Sequence, residues 1–301
     1  MKIKETVSYR IFSVINIVFM LLLGIVFVFP YLNVIAKSFN DAVDSARGGI
    51  TVYPRVFTLE NYKTLFSDGS IYGAAVVSVL RVLVGVVLGV LVQFGAAYAL
   101  SKKDLIGKKF IVMLFTIPMF ISAGQVPLYV VISDLGLLNS FWVYIIPGLF
   151  SFYNAIIIRT FIQSTIPDSL EESAYLDGAN EFDMLFKIIL PLSKPILATI
   201  ALWIMVAHWN DWTATLYYVT KSSLFTLQYI MMQLIKESER IQKLQEAAIM
   251  AGLSADDFQV KTSSESLIAA QVVVSTVPII CVYPFLQKYF VKGIMMGSVK
   301  G

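Results

Sequence analysis

Residues 166 to 195 read IPDSLEESAYLDGANEFDMLFKIILPLSKP, a polar, acid-rich string set between two apolar runs. Its local signals are those of two short helices and a stop. Asp168 or Ser169 can cap the first helix, with Glu171 or Glu172 three residues later completing a capping box. Gly178 follows as a left-handed stop. Asn180, with Asp183 three positions on, caps the second helix, whose Phe182, Leu185, Phe186 and Ile189 make one apolar stripe at helical spacing. Leu190-Pro191 closes it. The spacing predicts a compact helix, turn, helix with acids at its start and an apolar ridge left for a partner. The plainer reading is an amphipathic connector lying at a membrane surface.

Outward from this string the chain is too apolar for an ordinary soluble domain. Of 301 residues, 57% are hydrophobic and 14% charged, where a soluble domain carries about 25% charged residues. Mean hydropathy is +0.76. A bilayer core about 30 Å thick takes roughly 20 apolar helical residues, because each backbone amide must find its partner within the segment. Six stretches qualify: Ile11 to Phe29, Ala74 to Leu100, Phe110 to Ile132, Ser140 to Ile162, Pro195 to Val219 and Leu267 to Leu286. The first follows a basic segment, but its apolar run exceeds the roughly 7 to 15 residues of a signal-peptide core, so an uncleaved helix is expected.

Lysine placement sets the orientation. The linker Ser101 to Lys109 carries Lys102, Lys103, Lys108 and Lys109, whereas Ser133 to Asn139 carries no Lys or Arg, which puts the first inside and the second outside. The expectation is an all-α membrane protein, one domain over residues 1–301, with six transmembrane helices and both termini cytoplasmic. The connections of residues 36–73 and 220–266 then lie outside, and that of residues 163–194 inside.

The absent chemistry narrows the function. One cysteine, Cys281, and one histidine, His208, exclude an intramolecular disulfide and the common zinc sites. No metal site and no catalytic residue is expected. No stretch reads G-x-x-x-x-G-K-[ST], so the chain has no phosphate-cradling loop and cannot hydrolyse ATP alone; H-E-x-x-H and G-x-S-x-G are also missing. With 23 basic and 20 acidic residues, net +3, nothing points to nucleic acid. An ion-coupled carrier would place acids in mid-membrane, and these spans hold very few. A secondary carrier, a channel and, last, a membrane enzyme are the rival classes.

Within the spans, Gly85 and Gly89 give the second helix a small-residue face for close packing. Pro118 and Pro127 interrupt the third, as kinks or as the broken helix of a cavity. Arg81 reads either as an arginine snorkelling to the outer interface or as a pathway residue. The cluster His208, Trp209, Asn210, Asp211 and Trp212 reads either as an interfacial belt or as a polar, aromatic wall facing a solute.

The full string from Ile166 resembles the signature loop of permease subunits of bacterial ATP-binding-cassette importers: E-A-A, three residues, Gly, nine residues, I-x-L-P. Glu172, Ser173 and Ala174 occupy the triplet, Gly178 follows three residues later, and Ile188, Leu190 and Pro191 stand at the required distance. Ser173 replaces the usual Ala. Further along the chain, Phe29-Pro30, Asn61-Tyr62, the run Ala96 to Lys102, Pro127-Leu128-Tyr129, Leu135 to Asn139, the Trp209 to Trp212 string and the ending Gly297 to Gly301 are similar to the maltose-type carbohydrate permeases. The likeness is to their second membrane subunit, in the branch associated with complex oligosaccharides and lipoprotein receptors.

That resemblance implies the type I ABC importer permease fold in a bacterial cytoplasmic membrane. It implies a second related permease subunit, two cytoplasmic ATPase subunits that carry ATP and magnesium, and an extracytoplasmic solute-binding protein that delivers a carbohydrate. It implies no cofactor on this chain itself. Glu171, Glu172, Ser173, Ala174, Asp177, Gly178, Ile188, Leu190 and Pro191 are then the ATPase-docking residues. Gln125, Tyr129, Tyr153, Asn154, Trp209 and Asn210 are the pathway candidates, since rings and amides suit a solute with hydroxyls and apolar C–H faces. The partner subunit can instead hold most substrate contacts. The 220–266 connection is read as a receptor contact or a solvated insertion, and the tail from Gln287 as an ATPase contact or a membrane anchor. An importer for a non-sugar solute is the alternative.

Overall fold

The computed structural model describes residues 6–67, 69–121, 123–250 and 264–297. Among them all regular structure is helical, apart from an isolated antiparallel bridge between Asn40 and Phe57. In chain order the helices are α1 (Val7–Ser38), α2 (Ala42–Ala46), α3 (Glu60–Ser67), α4 (Gly69–Ser101), α5 (Lys108–Phe120), α6 (Gln125–Asp134), α7 (Phe152–Thr165), α8 (Asp168–Leu176), α9 (Glu181–Asp183), α10 (Leu190–Leu192), α11 (Lys194–Asn210), α12 (Thr213–Tyr218), α13 (Leu227–Met250) and α14 (Ser264–Gly297). The chain divides into two compact units, Met1–Gly69 with Met231–Val277 and Ser70–Ile230 with Pro278–Gly301.

Among the described residues, three helical stretches are by themselves long and apolar enough to cross a bilayer: Val7–Ser38, Gly69–Ser101 and Glu265–Val282. The other three expected spans are not single helices, and each break has a local cause. The Phe110 to Ile132 stretch divides into α5 and α6, with Pro118 inside the end of α5 and Gly124 at a φ of 83° before α6. Ser140 to Ile162 is α-helical only from Phe152. Its first part is a 3₁₀ turn, Phe141–Tyr144, after which Pro147 and Gly148 end the helical run and Ser151 caps α7 by accepting from the Asn154 N–H. Pro195 to Val219 breaks at Asp211, whose carboxylate accepts from the N–H groups of Thr213 and Ala214 and so opens α12 as a new helix.

The Ser70–Ile230 stretch packs around two apolar clusters. Phe94, Ala97 and Tyr98 of α4, Ala155, Ile158 and Ile162 of α7, Ala174 of α8 and Leu197, Ile200 and Ile204 of α11 form the first with Met184 and Ile189. The second joins Val77, Ile132, Val143, Tyr144, Ile145, Tyr218 and Val219. In the other unit, Asn61 donates to the carbonyls of Ser38 (3.0 Å) and Asn40 (2.8 Å), and Asn40 donates to Asp44 (2.9 Å), which fixes the loop after α1.

Candidate functional site

The 166–195 string folds as two short helices about a left-handed turn. The first helix begins one residue earlier than a side-chain cap would set it. Pro167 takes the N-cap position and no side chain caps the helix, so neither Asp168 nor Ser169 does the expected work. Asp168 pairs instead with Lys103. At the far end Gly178 sits at a φ of 85°, its N–H donating to the Tyr175 carbonyl (3.0 Å) and that of Ala179 to Ala174 (2.9 Å). These are the two bonds that close a helix through a left-handed glycine. Asn180 then caps the next helix by accepting from the Asp183 N–H, 2.9 Å.

That second helix is not regular. Met184–Ile189 is a π-helical turn, so one face repeats at five residues and the buried side chains are Met184 and Ile189, both 0% exposed. The expected stripe through Phe182, Leu185, Phe186 and Ile189 is thereby split. Phe182 and Phe186 point outward and, with Leu176, leave an exposed apolar ridge. The pair Glu181–Leu192 and Lys194–Asn210 bends by 79°.

Of the residues expected to dock a partner, Ala174, Ile188 and Leu190 pack inward on the apolar cluster. Glu172, Ser173, Asp177, Gly178 and Pro191 are exposed. The Ser173 hydroxyl donates back to the Ser169 carbonyl at 2.8 Å, so this replacement for alanine is satisfied within its own helix. Glu171 is turned aside to Lys102, 2.7 Å away.

Lys102, which the sequence marks only as one of the lysines that set the orientation, is a pivot. Its ammonium donates to Glu171 and to the Tyr175 hydroxyl (3.2 Å), lies 3.7 Å from Glu181, and stands 4.6 Å over the Tyr98 ring. Tyr98 in turn donates to Glu181 at 2.6 Å, and Tyr175 donates to the same carboxylate. Burial works against the Lys102 charge, but Glu171 and the two tyrosines outweigh it and raise its pKa. The hydroxyls of Tyr175 and Tyr98 hold the Glu181 carboxyl below its ordinary range, partial burial opposing. These groups line a cleft of about 1050 Å³ between the end of α4 and α8. The network ties the last turn of α4 to both arms of the hairpin.

A second polar cluster lies inside the spans. Arg81 is 3% exposed, not snorkelling to an interface. Its guanidinium pairs with the Asp211 carboxylate, donates to the Asp211 carbonyl at 2.8 Å, and lies 4.6 Å over the Tyr144 ring. Gly85 and Gly89 let α11 approach α4. A Cβ at Gly85 would stand 2.7 Å from Cδ2 of His208, and one at Gly89 3.2 Å from Cδ1 of Ile204. Beside them is a cavity of about 470 Å³ lined by Arg81, Gln93, Asn154, Trp203, His208 and Asp211, among others.

Of the six pathway candidates, Asn154 lines this cavity directly. Gln125 and Tyr129 reach its wall through Tyr218, which donates to Gln125 at 3.2 Å and stacks on Tyr129 with centroids 6.1 Å apart. Tyr153 stacks on Trp203 at 6.4 Å. Trp209 is buried at 7% exposure, which does not fit a lipid-facing belt, and Asn210 is exposed away from the cavity lining. Among the described residues no cluster of His, Cys, Asp or Glu could hold a metal ion.

Long apolar helices, broken spans around a polar cavity, and a hairpin pinned to three of those helices define a membrane transport component. The chain belongs to the binding-protein-dependent transport system inner membrane component family, which matches residues 82–296. It is 34% identical over 296 residues to the polygalacturonan/rhamnogalacturonan transport system permease protein YtcP of Bacillus subtilis (strain 168), covering 97% of this chain and 99% of that one. It is 36% identical over 298 residues to Protein LplC of the same organism, covering 99% and 97%. Its fold is similar to that of a solved bacterial ABC transporter involved in the import of the acidic polysaccharide alginate, with a TM-score of 0.83, 26% identity, and coverage of 96% of this chain and 100% of that one.

Proposed function

We propose that this chain is one of two related permease subunits in an ATP-driven importer for an oligosaccharide. The relatives named for polygalacturonan, rhamnogalacturonan and alginate transport support a carbohydrate over a non-sugar solute. ATP and magnesium belong to two separate ATPase subunits, and an extracytoplasmic solute-binding protein delivers the sugar. In this reading the chain crosses the membrane six times with both termini cytoplasmic: through α1, α4, α5 with α6, the segment ending in α7, α11 with α12, and α14.

The observation that carries the reading is the hairpin from Asp168 to Leu192. Its outer side offers Glu172, Asp177 and the ridge of Leu176, Phe182 and Phe186 to a partner, while its inner side is buried on α4, α7 and α11. An ATPase that grips the outer side moves those helices with it as a rigid body. Glu171, Ala174, Ile188 and Leu190 then position the docking surface from beneath, and Glu172, Ser173, Asp177, Gly178 and Pro191 present it. The connection of residues 220–266, of which 220–250, ending in α13, and 264–266, the start of α14, are described, is the receptor contact. Of the tail from Gln287, read as an ATPase contact or a membrane anchor, residues 287–297 continue α14 and residues 298–301 lie outside the described residues.

The test is uptake into vesicles that contain both permeases, the ATPases and the receptor. ATP-dependent accumulation of an oligosaccharide is the expected result. ATP-dependent uptake of only non-carbohydrate solutes would overturn the substrate class, and uptake driven by an ion gradient without ATP would overturn the mechanism.

A further inference from the structure

Lys108 opens α5, Arg159 lies midway along α7, and both helices are tied to the end of α4. The Lys108 ammonium donates to the Lys102 carbonyl at 2.7 Å, and Gln163, one turn on from Arg159, donates to the Ser101 carbonyl at 3.0 Å. The start of α5 thus lies beside the end of α7, and the two helices run antiparallel. Phe115 stacks on Phe152 with ring centroids 5.5 Å apart. Two turns back along α5 from Phe115 is Lys108, and two turns forward along α7 from Phe152 is Arg159, so each cation shares its helix face with one ring of that pair. The two charges therefore face each other across the α5–α7 contact, and each feels the other's field.

No acid of the described residues neutralises them. Lys108, Lys109 and Arg159 make no ion pair there. Glu171 and Asp168 are taken by Lys102 and Lys103, and Asp104 acts on Lys108 without pairing with it. Arg159 is part-buried. Its Nε is shut away with no partner, whereas its two terminal nitrogens stay accessible and bond to no described residue. The first turn of α5 carries two lysines and no acid, so that helix end adds to the positive charge. Like charges held together without a counter-charge on the chain call for an anion from outside it.

The neighbouring surface indicates the source of that anion. None of the α5 residues is buried. Phe110, Met113, Leu114 and Ile117 are exposed and, at i, i+3, i+4 and i+7, form one apolar stripe that starts beside Lys109. From Phe110 to Phe120 the helix rises about 15 Å, which is one leaflet of a hydrocarbon core about 30 Å thick. A stripe of that length with cations at its foot and none along it matches one lipid molecule, chains beside the stripe and headgroup at the cations.

We infer that Lys108 and Arg159 form a binding site for the phosphate of an anionic phospholipid, with Lys109 at its rim and the acyl chains on the α5 stripe. Arg159 offers phosphate oxygens the fork of its terminal N–H groups, and Lys108 keeps donors to spare beyond its bond to the Lys102 carbonyl. The phosphate thereby joins α5 to α7 beside Lys102, the residue that ties α4 to the hairpin. The inference rests on the six-span reading, in which α5 crosses with α6, and adds what the inner end of that span binds.

The experiment uses the complete importer in phosphatidylethanolamine vesicles that contain phosphatidylglycerol or phosphatidylcholine, each with a photoreactive acyl chain. Adducts on this chain are mapped by mass spectrometry at matched abundance of the assembled complex. Phosphatidylglycerol should label α5 more than phosphatidylcholine by about fivefold or more, and Arg159→Gln should lower that labelling about fivefold, the effect of one cation at a lipid surface. Lys108→Gln should act in the same way and reads the site if Arg159→Gln fails to assemble. Lys103→Gln, in the same linker but already paired with Asp168, should leave labelling within about twofold. Equal labelling by the two lipids, or labelling unchanged in both variants, refutes the site and leaves the span standing. Labelling of α6 alone means that protein covers α5, and refutes the site as well. Loss of labelling on adding inorganic phosphate means that a free anion is the occupant and overturns the lipid. Absence of adducts on α5 and α6 with either lipid refutes the span, and the site falls with it.

Discussion

Replacing Lys102 by methionine keeps the stem of the side chain and removes the charge that joins α4 to the hairpin. The Lys102 side chain is 18% exposed and its Glu171 partner 23%, so the pair is neither fully wet nor fully dry. A hydrogen bond between charged groups contributes about 1.5–3 kcal/mol, and the ammonium over the Tyr98 ring adds about 0.5–1 kcal/mol. The desolvation that Lys102 suffers offsets part of this. A net loss of about 2 kcal/mol remains, which is roughly thirtyfold in the population of a hairpin detached from α4.

Amide hydrogen exchange reads that population directly, because local opening exposes the α8 amides without global unfolding. In Lys102→Met the α8 amides should exchange about thirtyfold faster, with α7 little changed. Glu171→Gln should act on the same amides, and the double variant should cost less than the sum of the two by more than about 1 kcal/mol. Unchanged α8 exchange in Lys102→Met, or additivity within about 0.3 kcal/mol, would refute the network as the tie.

A Cβ added at Gly178 would meet no atom within 4 Å, so the φ of 85° is the whole obstacle there: Gly178→Val should uncouple ATP hydrolysis from uptake at normal membrane abundance, and Gly178→Asn, which tolerates the left-handed region, should retain most coupling. Asp211→Ala strands the buried Arg81 charge and should destabilise the protein by about 3–5 kcal/mol, seen as loss of folded material, whereas Arg81→Met with Asp211→Leu should recover much of it. The hairpin network should be insensitive to pH across the neutral range. Glu181, lowered from 4.5, contributes stability that is present above 4.5 and lost as pH falls through its depressed value; Lys102, raised from 10.5, contributes below 10.5 and loses it only as pH rises through its raised value. Exchange protection of α8 that changes markedly between about pH 6 and about pH 9 would contradict this assignment.

Part of the local chemistry was legible in the sequence, the cap expected at Asp168 or Ser169 excepted, and long-range chemistry was not. Gly178 and Asn180 act as read, because a left-handed stop and a cap depend on residues within five positions. The stripe through Phe182 and Phe186 failed because one extra residue per turn in Met184–Ile189 rotates the face, and side-chain pattern alone does not separate that from a regular helix. Hydropathy found the apolar runs but passed over Pro147-Gly148 and the Asp211 cap, which break two of them. Lys102 meets Glu171 across 69 positions and Arg81 meets Asp211 across 130. Nothing in a single sequence pairs such residues, and an arginine in an otherwise apolar run reads equally as a snorkelling or a pathway residue.

Where the ATPase touches this chain decides whether the hairpin is its docking element. A photocrosslinking residue at Phe182, 74% exposed on the hairpin, should capture an ATPase subunit in the assembled importer, and one at Tyr53, 79% exposed in the connection after α1, should not. Capture at Phe182 that changes between the nucleotide-free and ATP-bound complex is the expected result. No ATPase adduct at Phe182 in a complex that transports, or an equal yield from Tyr53, would rule the hairpin out as that element.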